Sequence, residues 1–114
     1  MWKDARKFTY KIYNLTKKFP SIETYGLNSQ ITRAAVSIMS NIAEGFESST
    51  KIEFARFLNI SRRSASEVQS QLYIALDQSY VDKPEFDLLY KEIEEIRKMI
   101  TSLIKYLKGI KTTR

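Results

Sequence analysis

The chain has 114 residues, 43% of them hydrophobic and 28% charged, with 19 Lys and Arg against 13 Asp and Glu and neither Cys nor His. Without cysteine there are no disulfides, thiolate nucleophiles, zinc-thiolate sites or cysteine-held iron–sulfur clusters. Without histidine there are no Ser-His or Cys-His relays, and the commonest metal ligand is missing. Catalytic residues, metals and cofactors are therefore not expected, and the net charge of +6 points towards a polyanionic partner. The length suits a single domain over 1–114 with one hydrophobic core. No apolar run approaches the roughly 18 residues that span a bilayer. The basic start, Met1 to Lys7, leads into no apolar stretch, so no secretory signal is expected and the cytoplasm is the expected location.

The first expected helix covers about 2–18, because Ala5, Phe8, Ile12, Leu15 and Phe19 recur at steps of three and four. Pro20 stops it, and Ser21 to Leu27 reads as a loop. The second helix is expected over 28–45, with Asn28 as N-cap and Gly45 as the residue that ends it. Ile31, Ala34, Ala35, Ile38 and Ile42 form its apolar stripe, while Val36, Met39 and Ala43 fall off that stripe. A helix apolar on more than one side suggests a neighbouring subunit. The third, over 51–79, opens on a capping box of Thr50 and Glu53. Ser61 and Ala65 in the middle of its stripe let another helix come close. The fourth, over 83–110, starts at Asp82 and Glu85 with Pro84 in its first turn. No segment alternates with period two, and short connections force antiparallel neighbours. The expected fold is all-α, an up-down-up-down antiparallel four-helix bundle. Phe46, Phe54, Phe57, Tyr73, Tyr80, Phe86 and Tyr90 are expected mainly in the core or between subunits.

The stretch from Phe19 to Gly45 carries a more specific pattern. Arg33-Ala34-Ala35-Val36-Ser37-Ile38 followed by Asn41-Ile42-Ala43-Glu44-Gly45 resembles a bacterial four-helix bundle family. That family is encoded in intervening sequences of large-subunit ribosomal RNA genes and is ribosomal-protein-like. The resemblance runs from Tyr13–Phe19 through Glu67–Leu72, and the fourth helix fits in pattern. The chain departs from the family at Thr32, where relatives have a second arginine, and at Met39, where they have proline. Arg63-Ser64 stands in place of a Gly-Ser pair, and Glu47-Ser48-Ser49 in place of a basic position. The resemblance implies a homo-oligomer, with pentamers among relatives. It extends to the basic accessory proteins of diversity-generating retroelements, which bind nucleic acid and work with a reverse transcriptase.

Charge is unevenly distributed. Residues 1–18 carry +5, residues 97–114 carry +6 and the middle carries −5. Up-down connectivity brings the start of the first helix and the end of the fourth to the same end of the bundle. Lys3, Arg6, Lys7 and Lys11 are therefore expected to converge with Lys105, Lys108 and Lys111 as a nucleic-acid-binding set, with Trp2, Tyr10 and Tyr106 as stacking faces. The helix dipole accounts for lysines at the end of a helix but not for Lys3, Arg6 and Lys7 at the start of one.

Gln30, Arg33, Ser37, Asn41 and Glu44 are spaced three and four apart, which makes a polar stripe on the second helix. It reads either as a ligand or RNA groove, or as a structural network or interface with the third helix. In the second case Arg33 would meet Glu67, and Glu44 would meet Arg62 or Arg63. The leading functional expectation is a non-enzymatic, basic homo-oligomer, with a pentamer favoured, that binds nucleic acid, structured or ribosomal RNA in preference to DNA. The alternative is a scaffold that recruits a protein such as a reverse transcriptase. No membrane contact is expected.

Overall fold

The apolar periodicities become four α-helices in a computed structural model that describes residues 1–109. Helix α1 runs Trp2–Thr16, α2 Leu27–Glu47, α3 Lys51–Asp77 and α4 Lys83–Leu107, with a 3-10 turn at Ser21–Glu23. There is no strand among the described residues, and none of these helices is long and apolar enough to cross a membrane. Lys11 pairs with Glu92 at 2.7 Å and Lys18 with Glu85 at 2.5 Å, which sets α1 antiparallel to α4. The molecule is an all-α up-down-up-down four-helix bundle measuring 45 × 30 × 19 Å.

Helix ends follow local chemistry, with some corrections to the sequence expectations. Both N-caps form, Thr50 accepting from the Glu53 N–H at 3.1 Å and Asp82 from the Glu85 N–H at 3.0 Å, but the reciprocal half of the capping box does not: the Glu53 carboxylate takes Arg56 and that of Glu85 takes Lys18. Helix α1 stops at Thr16, two residues before the expected end, and Pro20 leads into the 3-10 turn. Asn28 is not the N-cap of α2. Gly26 occupies that position, and the missing side-chain acceptor is supplied by Glu23, which takes the Leu27 N–H at 3.0 Å and the Tyr80 hydroxyl at 2.9 Å. The Leu27 N–H first, and Tyr80 second, hold the Glu23 carboxyl below its ordinary pKa. Gly45 does not end α2, which continues to Glu47. Its role is steric, since a Cβ there would lie 2.8 Å from the Phe54 ring of α3. Helix α3 ends at Asp77, and Ser79 takes the left-handed conformation with φ 62°. The Tyr80 N–H then reaches the Ala75 carbonyl at 2.8 Å and the Ser79 N–H the Leu76 carbonyl at 3.0 Å, which closes the helix. Ile110, the expected end of the fourth helix, lies outside the described residues.

The core is continuous through all four helices, with Phe8 and Ile12 of α1, Ile31, Ile38 and Ile42 of α2, Leu58 and Leu72 of α3, and Ile93, Ile96 and Ile100 of α4 fully buried. Helix α2 is held by hydroxyls from both sides. Ser61 of α3 donates to the Ile38 carbonyl at 2.7 Å, and Thr9 of α1 to the Ala35 carbonyl at 3.3 Å. Of the aromatics expected in the core or between subunits, Phe86 lies in the core, while Phe46 and Tyr73 are exposed on the single chain. Tyr73 packs against Phe86 and Tyr90 at centroid distances of 5.0 and 5.5 Å with its own ring half-exposed.

A polar tie joins α3 to α4 beside that cluster. Glu94 accepts from Gln69 at 2.7 Å and from two nitrogens of Arg97 at 3.0 and 2.7 Å. Arg97 first, then Gln69, lowers the Glu94 pKa from 4.5 to about 2.

Two outcomes are expected. Ser79→Gly removes the strain of a left-handed non-glycine residue and raises stability by about 0.5–1 kcal/mol in urea unfolding. Glu94 has a depressed pKa in the folded state, so its stabilisation is complete above about pH 4.5 and is lost as pH falls towards 2. Glu94→Gln should therefore flatten that part of the stability–pH curve, as followed by circular dichroism.

Candidate nucleic-acid interface

Alternation of core and solvent positions along α1 leaves two cationic ridges on its outer side. Trp2, Arg6 and Tyr10 form one row at four-residue steps, and Lys3, Lys7 and Lys11 form the next. The six side chains line a shallow depression of about 430 Å³. Arg6 lies over the Trp2 ring with its guanidinium carbon 6.0 Å from the centroid. Trp2 is 38% exposed and Tyr10 70%. Lys11 is committed to Glu92, whereas Lys3, Arg6 and Lys7 have no ion-pair partner within 4.0 Å among the described residues.

The expected convergence with the end of α4 is realised only in part. Helix α1 packs less closely on α4 than α2 does on α3, which leaves a groove of about 690 Å³. That groove is lined by Asp4 and Lys7 of α1 and by Lys91, Glu92 and Glu95 of α4 together with Leu88 and Met99, so the inner flank of α1 faces charges of both signs. Lys108 lies instead with Lys51, Ile52 and Arg56 in a separate depression of about 330 Å³ at the start of α3. Lys105 is exposed in the last turn of α4, near Tyr106, which is also exposed. Lys111 lies outside the described residues. Lys51 and Arg56 were not expected as neighbours of Lys108. The antiparallel α3–α4 pairing places them there, and the positions of the helix ends in the sequence already contained that signal.

The polar stripe of α2 meets α3 along a cleft of about 310 Å³ lined by Gln30, Arg33, Ser37, Ser64, Glu67 and Gln71. The expected ion pairs are absent: neither Arg33–Glu67 nor Glu44 with Arg62 or Arg63 comes within 4.0 Å. Arg33, Glu44, Arg63 and Glu67 are all exposed, and water solvates their charges without the need for pairing. Arg62 donates to Asn59 at 2.5 Å instead. What forms is a neutral network. Ser64 donates to the Ser37 hydroxyl at 2.8 Å, and the Asn41 amide donates to the Ser37 hydroxyl at 3.1 Å and the Ser37 carbonyl at 2.9 Å. Gln71, 8% exposed, carries a buried carboxamide oxygen with no hydrogen-bond partner. Its spacing from Ser64 and Glu67, three then four, matches the α2 stripe and identifies it as the opposing face. Among the described residues no cluster of acidic side chains could hold a metal ion.

A family model for the 23S rRNA-intervening sequence protein matches residues 1–102. Among solved structures, the chain is similar to a protein of unknown function from the S23 ribosomal protein family of Bacteroides thetaiotaomicron. The TM-score is 0.85 at 26% identity, over 91% of this chain and 97% of that one. No curated protein matches the chain.

The α2–α3 cleft offers a stability test of the neutral network. Ser64→Ala removes a buried donor and should cost about 1 kcal/mol in denaturant unfolding. Gln71→Leu removes an orphaned oxygen at similar volume and should be neutral or stabilising by the same measurement.

Proposed function

The chain belongs to the 23S rRNA-intervening sequence protein family, and from that membership we propose that it is a non-enzymatic, basic homo-oligomer that binds nucleic acid, RNA in preference to DNA. The observation that carries this reading is the outer side of α1. Lys3 sits in the first turn of α1, where the helix dipole disfavours a cation, Arg6 and Lys7 follow in the next turn, and among the described residues no acid lies within ion-pairing distance of the three. A polyanion supplies the missing counter-charge. The ribosomal names of the family and of its structural neighbour make RNA the natural candidate.

Assembly is the second component of the proposal. A homo-oligomer, a pentamer by resemblance to its relatives, repeats the α1 charge around a ring and multiplies the phosphate contacts. Val36 and Phe46 on α2, and Ile52 at the start of α3, are exposed apolar side chains that a neighbouring subunit would cover. A scaffold role has its own support at the opposite end of the bundle, where Ile22 and Tyr25 stand exposed in the α1–α2 connection.

The test is RNA binding titrated with salt. Affinity should fall steeply as salt rises. Replacing Lys3, Arg6 and Lys7 with Gln together should lower affinity at least about tenfold and reduce the log–log salt slope by about 2, with helical content unchanged. Salt-independent binding, or none at low salt, overturns the nucleic-acid reading. A monomer in light scattering overturns the assembly.

A further inference from the structure

We infer that the outer side of α1 is a platform for unpaired nucleotides, with Trp2 and Tyr10 stacking on bases while the lysine ridge follows the phosphates. The inference rests on the nucleic-acid reading above and narrows it to a substrate class: single-stranded segments, not duplex.

The argument starts from the arrangement of the two ridges. Residues four apart on a helix are about 6 Å apart along its axis, a rise comparable to the step between successive phosphates on one strand. Lys3 and Lys7 present unpaired cations at that repeat along one side of the depression, and Lys11, paired with Glu92, continues the row. The other side alternates ring, guanidinium, ring in Trp2, Arg6 and Tyr10. A surface that only neutralises a duplex backbone needs the lysines and has no use for the rings. A duplex hides its base faces inside the stack and offers them only at its ends. A single strand exposes both charges and faces, and base–aromatic stacking is independent of sequence because every base has a π-face.

The rings are placed for this use. Both are accessible, and neither belongs to the aromatic clusters of Phe19 with Tyr80, Phe46 with Phe54, or Tyr73 with Phe86 and Tyr90. Arg6 covers one side of Trp2 at 6.0 Å, where a guanidinium strengthens an aromatic platform electrostatically. The fourfold repeat on the exposed side of a helix places such large apolar rings in water without benefit to the core, whose α1 members are Ala5, Phe8, Ile12 and Leu15.

Trp2 is the chain's single tryptophan, so its emission reports directly on this surface. The experiment titrates the full chain at low salt with a 12-nucleotide oligouridine and, separately, with a blunt 12-base-pair RNA duplex, following Trp2 fluorescence and anisotropy of a label on the RNA. Oligouridine should quench Trp2. Trp2→Ala and Tyr10→Ala should each weaken oligouridine binding at least about fivefold, with duplex binding changed less than about twofold. Tyr10→Ala retains the Trp2 reporter, and circular dichroism checks that both exposed-site variants keep their helices. Binding of both RNAs with unchanged Trp2 emission, preference for the duplex, or equal losses on the two probes overturns the single-strand assignment and leaves the nucleic-acid reading standing. Failure of both RNAs to bind the unaltered chain overturns both.

Discussion

The close approach of α2 and α3 is the constraint on which the rest of the bundle depends. Ala34 and Gly45 of α2 meet a side of α3 that includes Phe54, Ser61 and Ser64, and Ala34, Gly45, Ser61 and Ser64 are buried. Small side chains bring the two backbones near enough for the Ser61 hydroxyl to reach the Ile38 carbonyl and for Phe54 to fill the space over Gly45. A hydroxyl buried at such a crossing must find an acceptor, because an unmade hydrogen bond there costs about 1–3 kcal/mol. The seam is therefore specific in register as well as tight. The outer helices then attach to its two sides, α1 to α2 and α4 to α3.

That order of attachment determines how charge is distributed over the molecule. Helix α1 buries one stripe against α2 and reaches α4 mainly through Lys11–Glu92 and Lys18–Glu85. These bridges connect exposed or half-exposed side chains and contribute little to stability. They matter more for geometry, since they use Lys11 and Lys18 on the α4 side of α1 and leave Lys3 and Arg6 to the solvent side, with Lys7 between that side and the α4 groove. The basic character of the chain is thereby divided into an α1 ridge pair and a separate group around Lys108, Lys51 and Arg56. The first of these is the surface proposed for RNA, and two exposed aromatic rings, Trp2 and Tyr10, belong to it.

The α2–α3 cleft is a contrasting surface. It has both signs of charge at its rim and a neutral hydroxyl–amide network at its base. The Gln71 oxygen is the one buried side-chain polar atom without a partner among the described residues, in a seam otherwise satisfied by hydroxyl and amide donors.

Sequence periodicity alone determined the number of helices, their order, the core stripe of each and the N-caps Thr50 and Asp82, because these depend on residues three or four apart. The run from Arg33 to Gly45 determined the family for the same local reason: its pattern needs no knowledge of what lies opposite. What depended on a partner in space was decided only by the tertiary structure. Gly45 reads as a helix stop until Phe54 is seen against it, and Asn28 reads as a cap until Glu23 is found accepting the Leu27 N–H. Arg33 and Glu67 read as a buried pair until both prove exposed and apart, and Lys108 joins α3 in place of α1. In each case the side chain's role depends on the distance between helices, and residue spacing along one helix carries no information about that distance.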